Sequence, residues 1–243
     1  CNVLRLCLRY ANLATIEEYG INLVPLATFA LDTYGDDPCT EFIPKVLDES
    51  QQMDEKTLLL TARMHKAISV IQFKEEAVIF HRHPEWQMDD RCLLEHIDFQ
   101  RGVCTIDGKD YEMKDCHFPT LSQNSCQLTP EETALMQKLH HSFRISEKLH
   151  KHIRTLLSHG CMYTVTNSNL LFHASIPLCD DGSLKEVEIC PGHRYSGKDL
   201  MHNIGMMIRA AFSSGIDKDL QLFPRDYARD YFLYLWCGKD SPL

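Results

Sequence analysis

No two of the eleven cysteines in this 243-residue chain are spaced as Cys-x-x-Cys. That absence argues against a zinc ribbon. An odd number of cysteines, scattered from Cys1 to Cys237, fits free thiols in a reducing compartment better than a disulfide framework. A cytoplasmic location is the expectation. Positive charge is also short: the net charge is −9. That weighs against nucleic acid or an anionic membrane as the main partner, and leaves an anionic substrate to a local basic pocket or a metal. Long apolar runs are missing too. The longest, Gly20 to Leu31, is broken by Asn22 and Pro25, whereas a bilayer span takes roughly 20 apolar residues. No signal peptide is visible, and this sequence holds no Gly-x-Ser-x-Gly elbow, P-loop, Gly-x-Gly-x-x-Gly turn or internal repeat.

What is present is ordinary in bulk, with 44% hydrophobic and 24% charged residues in a length that suits one or two domains. Helical spacing predicts helices over Asn2 to Tyr10, Leu23 to Tyr34, and Met53 to about Phe80, the last stopped by His83-Pro84. Val103 to Ile106 followed by Asp107-Gly108 predicts a strand and tight turn. Thr129-Pro130-Glu131-Glu132 is a capping-box start. The helix it opens should run to about Ser158, broken near Arg144, with Gly160 as a left-handed stop. Tyr163 to Leu178 carries two apolar runs around Asn-Ser-Asn, the pattern of a hairpin, with His173 near the end of the second run. Asp181-Gly182 predicts a turn, Lys185 to Ile189 a strand, and Ser196 the start of a last amphipathic helix. A change of composition near Cys126 predicts a mostly helical segment over 1–126 and an α/β segment over 127–243.

Two places could carry chemistry. A histidine at a strand end is held still while facing a cleft, so His173 is a candidate metal ligand; the plainer alternative is a ring bonded to a backbone carbonyl. Arg194, Ser196, Gly197 and Lys198 precede or open a helix, whose free N–H groups and dipole favour a phosphate. The plainer alternative there is a capped helix with solvated cations. His140, His141, His150 and His152 share a helix with lysines and arginine, and His81 and His83 flank Arg82. Neither set has carboxylates or cysteines at ligand spacing along the sequence, so both read as solvated helix faces.

The runs LLFHASIPLCDDGSLKEVEI, RYSGKDL and YLWCGKDSPL, with the opening CNVLRLCLRYAN, GINLVPLATFAL and the middle SEKLHKHIRTLLSHGCMYTV, resemble the class III fructose-1,6-bisphosphatases of Firmicutes and related bacteria. The resemblance runs almost end to end and is weakest across Asp36 to Gln52 and Cys92 to Ser125. It implies an α/β (α+β) fold, part of a calcineurin-like metallophosphoesterase sandwich carrying a helical insertion. It implies a manganese-favouring (Mn2+) phosphatase of gluconeogenesis that removes the 1-phosphate of fructose 1,6-bisphosphate. In such enzymes two divalent ions roughly 3.5–4 Å apart activate water and polarise the phosphoryl group. Among the family's ligand motifs the resemblance assigns only the strand-end histidine, to His173. The Asp-x-His, Gly-Asp-x-x-Asp-Arg and Gly-Asn-His-Asp motifs are expected before Cys1, and a late Gly-His beyond Leu243. Ala174 stands where the family usually has glycine. The chain opens without methionine and stops at Ser241-Pro242-Leu243, which reads as an internal piece, inactive alone and prone to aggregate. The expected partner is a small sugar phosphate, with no nucleic acid and no membrane, and a homo-oligomer left open. The competing expectations are a non-catalytic binding or regulatory module derived from that family, and a phosphatase for another sugar phosphate.

Overall fold

The chain begins with three helices, α1 (Asn2–Arg9), α2 (Leu13–Glu18) and α3 (Val24–Tyr34), ahead of a 28-residue helix, α4 (Glu55–Arg82). The structure is a computed structural model that describes residues 1–45, 53–121, 126–212 and 222–243. It divides into two compact units, Cys1–His150 and Lys151–Leu243, so the composition change near Cys126 lies inside the first.

The first unit is organised by α4. Asp54 starts it by accepting from the amides of Lys56 at 3.0 Å and Thr57 at 3.1 Å. His83 ends it, with its amide on the Phe80 carbonyl and Pro84 next in sequence. Consecutive residues from Met64 to Gln72 are all buried, so α4 is covered on every side and shows no single apolar stripe. Helices α1 and α3 pack on it, and α5 (Pro130–Ile145) packs on α3. Leu8, Leu26, Ile68, Ile71 and Leu139 form the dry centre. The Thr129 capping box forms as the sequence predicts: Thr129 Oγ1 accepts from the Glu132 amide, and Glu132 returns the bond to the Thr129 amide at 2.8 Å. Between α4 and α5 lies a small antiparallel meander of β1 (Ile97–Asp98), β2 (Val103–Ile106) and β3 (Lys109–Glu112). Its β2–β3 turn places Asp107 and Gly108 at φ +50° and +71°, the mirror-image turn that matches strand twist.

The second unit begins within α6 (Glu147–His159), which is separated from α5 by Ser146. Gly160 does not take the expected left-handed stop. Its amide instead closes a bond of 2.7 Å to the Leu156 carbonyl. Then come two separate hairpins, β4 (Tyr163–Thr166) with β5 (Asn169–Phe172), and β6 (Val187–Cys190) with β7 (His193–Tyr195). Helices α7 (Gly197–Phe212) and α8 (Arg225–Cys237) pack together, and their buried Leu200, Ile204, Tyr231 and Leu235 join Val187 and Ile189 of β6 in the core.

The α/β (α+β) metallophosphoesterase sandwich is therefore corrected. Among the described residues the fold is mostly helical, and its strands form one three-stranded and two two-stranded sheets. The physical reason is local. Each strand is at most four residues long and pairs only with its neighbour in sequence, whereas a sandwich needs two broad sheets packed face to face. The expected hairpins formed; nothing in this chain joins them into a larger sheet among the described residues.

Candidate functional site

Phe172 is the last residue of β5, so His173 sits one position past the strand, exposed to solvent. The hairpin that delivers it is tightly turned, with Asn167 and Ser168 at φ +50° and +62°. Its ring makes no hydrogen bond or ion pair with any described residue, so the carbonyl-bonded alternative does not occur among them. A metal ligand needs its ring oriented by a second partner, and no described residue provides one.

The basic cluster is more closely organised. Arg194 lies opposite Glu188 across the β6–β7 ladder, Nε to Oε2 at 3.7 Å, an exposed pair of small energetic worth. Ser196 precedes α7, and its carbonyl accepts the Leu200 amide at 3.2 Å. Gly197 opens α7 at φ +51°, where a side chain is strained. A Cβ there would also stand 2.7 Å from Leu184 Cδ1. The positive φ accounts for the glycine without an approaching anion, since the Leu184 side chain is half exposed and can move aside. Lys198 is exposed in the first turn and has no acidic partner among the described residues; Asp199 beside it offsets part of the local positive charge.

Gly197 and Lys198 border a cavity of about 340 Å³ whose other walls are apolar: Tyr163, Val165, Leu170, Phe172, Ile176, Leu184 and Met201. The structure thus brings Lys198 to the β4–β5 hairpin, while Arg194, Ser196 and His173 do not line this space. A broader cleft of about 740 Å³ in the first unit carries Asp32, Glu131 and Lys138, an acid-biased set poorly matched to a bisphosphate.

Sequence reasoning passed over two constellations in the first unit. Asp115-Cys116-His117 does spell Asp-x-His. Its carboxylate, however, meets a cation supplied by the chain: Lys66 Nζ lies 2.7 Å from Asp115 Oδ2 and 2.7 Å from Asp37 Oδ2. His117 Nδ1 is 2.9 Å from the same Asp37 oxygen, and the ammonium also faces the Tyr34 and Phe118 rings at 5.2 and 4.9 Å. Burial alone would raise the Asp37 carboxyl, but bonds from Lys66, the Cys39 amide and His117 outweigh it and hold that carboxyl well below the usual carboxylate range. The ammonium fills the place a metal would need, so this network is structural.

The other constellation is His81, Glu95 and Cys126, whose donor atoms all lie within 4.8 Å of one another. It could hold a metal ion, and it is the one group of three or more such donors among the described residues. His81 is exposed, as a solvated helix face predicts, but the fold also brings a carboxylate and a thiol from distant sequence beside it. The Gly-His spelling also occurs, at Gly192-His193 in the β6–β7 turn, where the His193 ring meets Phe223 edge-on at 5.7 Å.

The likeness that classifies the chain is continuous rather than confined to a site. A family model described as Firmicute fructose-1,6-bisphosphatase matches residues 1–243. Relatives named fructose-1,6-bisphosphatase class 3 are 57% identical in Phocaeicola vulgatus, over 99% of this chain and 36% of the relative, and 49% identical in Clostridium tetani, over 100% of this chain and 36% of the relative. That of Porphyromonas gingivalis is 47% identical over 100% of this chain and 36% of its own length. No solved structure matches. This chain belongs to the Firmicute fructose-1,6-bisphosphatase family, and it spans about a third of the length of these curated relatives. Among the described residues no helix is long and apolar enough to cross a membrane.

Proposed function

We propose that this chain is a segment of a cytoplasmic class 3 fructose-1,6-bisphosphatase, which hydrolyses fructose 1,6-bisphosphate to fructose 6-phosphate and phosphate. The observation that carries this reading is the unbroken match of the whole chain to relatives of that name. The chain covers 36% of such a relative, so the remaining length is available to supply what this segment lacks.

In this reading His173 is one ligand of a two-metal manganese centre. Among the described residues that centre does not form: their one donor group of three or more is His81, Glu95 and Cys126, and it does not include His173. In this reading the other ligands come from the rest of the longer protein. Arg194 and Lys198, at the start of α7 with Ser196 and Gly197, would hold a substrate phosphate. The unpaired ammonium of Lys198 supports this more strongly than Arg194, which is already paired with Glu188. The apolar side chains on the β4–β5 hairpin support a cover supplied by the rest of the longer protein. Val165 is 61% and Leu171 54% exposed, part of an apolar patch of the kind that marks an interaction surface.

The test is phosphate release from fructose 1,6-bisphosphate with added manganese, by full-length protein, by this chain alone and by full-length His173→Ala. Activity in the full-length protein and its loss in the other two supports the reading. Activity unchanged in His173→Ala would remove His173 from the centre.

A further inference from the structure

We propose that His81, Glu95 and Cys126 form a binding site for one zinc-type divalent ion, which staples the end of α4 to the segment leading into α5. Three separate pieces of chain converge there. His81 lies in the last turn of α4, Glu95 in a short 3-10 helix (Leu93–His96), and Cys126 just ahead of the Thr129 cap. His81 Nε2 and Glu95 Oε1 are 3.3 Å apart, and the Cys126 thiol donates to that same oxygen at 2.7 Å. A further sulfur, Cys92 Sγ, lies 3.6 Å from His81 Nε2. Zinc bonds of about 2.0–2.3 Å in a tetrahedron separate neighbouring donors by roughly 3.3–3.8 Å. The His81–Glu95 spacing already meets that, whereas Cys92 stands outside the donor group and is not a ligand of the proposed site. Cys126 would exchange its S–H bond for a metal bond and open its 2.7 Å separation from Glu95 to the wider donor spacing.

The donor chemistry selects the ion. An imidazole, a carboxylate and a thiolate suit zinc or cobalt, whereas manganese prefers oxygen-rich sets. One thiolate and one carboxylate also neutralise a divalent charge. The exposure of His81 and Glu95, with side chains 46% and 37% accessible, leaves an entry path. The site does not depend on the phosphatase reading, since none of its residues is assigned to substrate or to the manganese centre. The region it would tie down, from His83 to Cys126, has only short strands and single-turn helices among its described residues. A cross-link there would stabilise the folded state by mass action.

The test uses cobalt as a spectroscopic stand-in for zinc, added to the purified protein. We expect a thiolate-to-cobalt charge-transfer band that saturates at one ion per chain, is displaced by zinc, and is not displaced by an equal amount of manganese. Cys126→Ser should abolish the band. His81→Ala should weaken binding by more than the roughly 10–100-fold that loss of an outer partner costs, while His96→Ala leaves it unchanged. Absence of the band, or its survival in Cys126→Ser, overturns the proposal. A second measurement needs no variant. Coordination removes the nucleophilic thiolate, so zinc should slow alkylation of Cys126 by about tenfold or more, read by peptide mass mapping, and spare exposed Cys161. Equal alkylation rates at Cys126 with and without zinc would overturn it as well.

Discussion

The two units use their side chains in opposite ways. The first hides charge: Lys66 and Lys74 are both 0% exposed, yet each is fully engaged. Lys74 donates to Glu132 at 2.7 Å and to the Thr120 carbonyl at 2.8 Å, so the α5 capping box is tied directly to α4. The second unit does the reverse and leaves Val165, Leu171 and Leu184 more than half in water, with Leu170 close behind. The first unit supplies both partners of each buried ion pair itself, and in that sense its charge burial is finished from within. A unit that exposes a contiguous apolar hairpin is complete in secondary structure but not in burial. We take that hairpin as one surface that the proposed longer enzyme would cover, although the first unit also exposes Val24 at 69% and Ile145 at 62%.

The largest effect should follow from breaking the buried network around Lys66. Lys66→Ala leaves Asp37 and Asp115 without their cation and removes an ammonium from three aromatic neighbours. Truncating one partner of such a network costs about 3–5 kcal/mol. Chemical denaturation should show that loss, and a change within about 0.5 kcal/mol would mean the first unit is not finished in the way described.

A matched pair of leucines sharpens the contrast. Leu139 is 1% exposed in the first core and Leu171 is 54% exposed on the hairpin. Leu139→Ala should cost about 2–5 kcal/mol through lost burial and a cavity. Leu171→Ala should change the stability of this chain by no more than about 0.5 kcal/mol. If the covering proposal holds, the same Leu171→Ala in the full-length protein should cost distinctly more than in this chain. Equal small effects in both would argue against a cover.

Acid should act on the first unit in two stages. Burial lowers the His65 pKa, partly offset by its bond to the Phe42 carbonyl, and the Asp37 carboxyl is also held low. In both cases the folded state binds protons less readily than the unfolded chain, so stability is present above the unfolded values and falls as pH falls through them. Those values are about 6.5 for histidine and about 3.9 for aspartate. Urea midpoints measured from neutral pH down should therefore decline first near the histidine range and again below about pH 4. Asp37→Asn, though less stable at neutral pH, should show a flatter second decline.

Much of this fold could be read from local chemistry. The Thr129 box, the Asp107-Gly108 turn, the Asn167-Ser168 hairpin turn and the stop at His83-Pro84 each depend on residues within one or two turns of each other. What could not be read depends on residues far apart in sequence. The sandwich was inferred from resemblance, and the strands here had no distant partners among the described residues. His81 is solvated as read, but its neighbours Glu95 and Cys126 are brought to it only by the fold. The Asp-x-His at Asp115 was legible as letters, but only the fold shows Lys66 in the place of a metal. A signal for Lys66 did exist: a lysine inside the apolar stretch of a long helix needs a buried acid.

The smallest expected change in stability belongs to the basic cluster, and that smallness makes it informative. Arg194 is 60% exposed at its side chain and paired loosely with Glu188, and Lys198 is exposed without a described acidic partner. Arg194→Ala and Lys198→Ala should each leave stability within about 0.5 kcal/mol of the parent, by denaturation of this chain. A kinetic effect in the full-length protein can then be assigned to substrate handling rather than to damage. If the two cations hold the non-reacting phosphate, each variant should raise KM for fructose 1,6-bisphosphate, with some loss of kcat because remote binding energy also orients the reacting group. A minimal phosphate ester lacking the second phosphate should be almost indifferent to the same changes. Lys198→Ala should have the larger effect, since Arg194 must first leave Glu188. Proportional losses on both substrates would deny a role specific to the second phosphate, and no loss on either would leave the cluster as a solvated helix start.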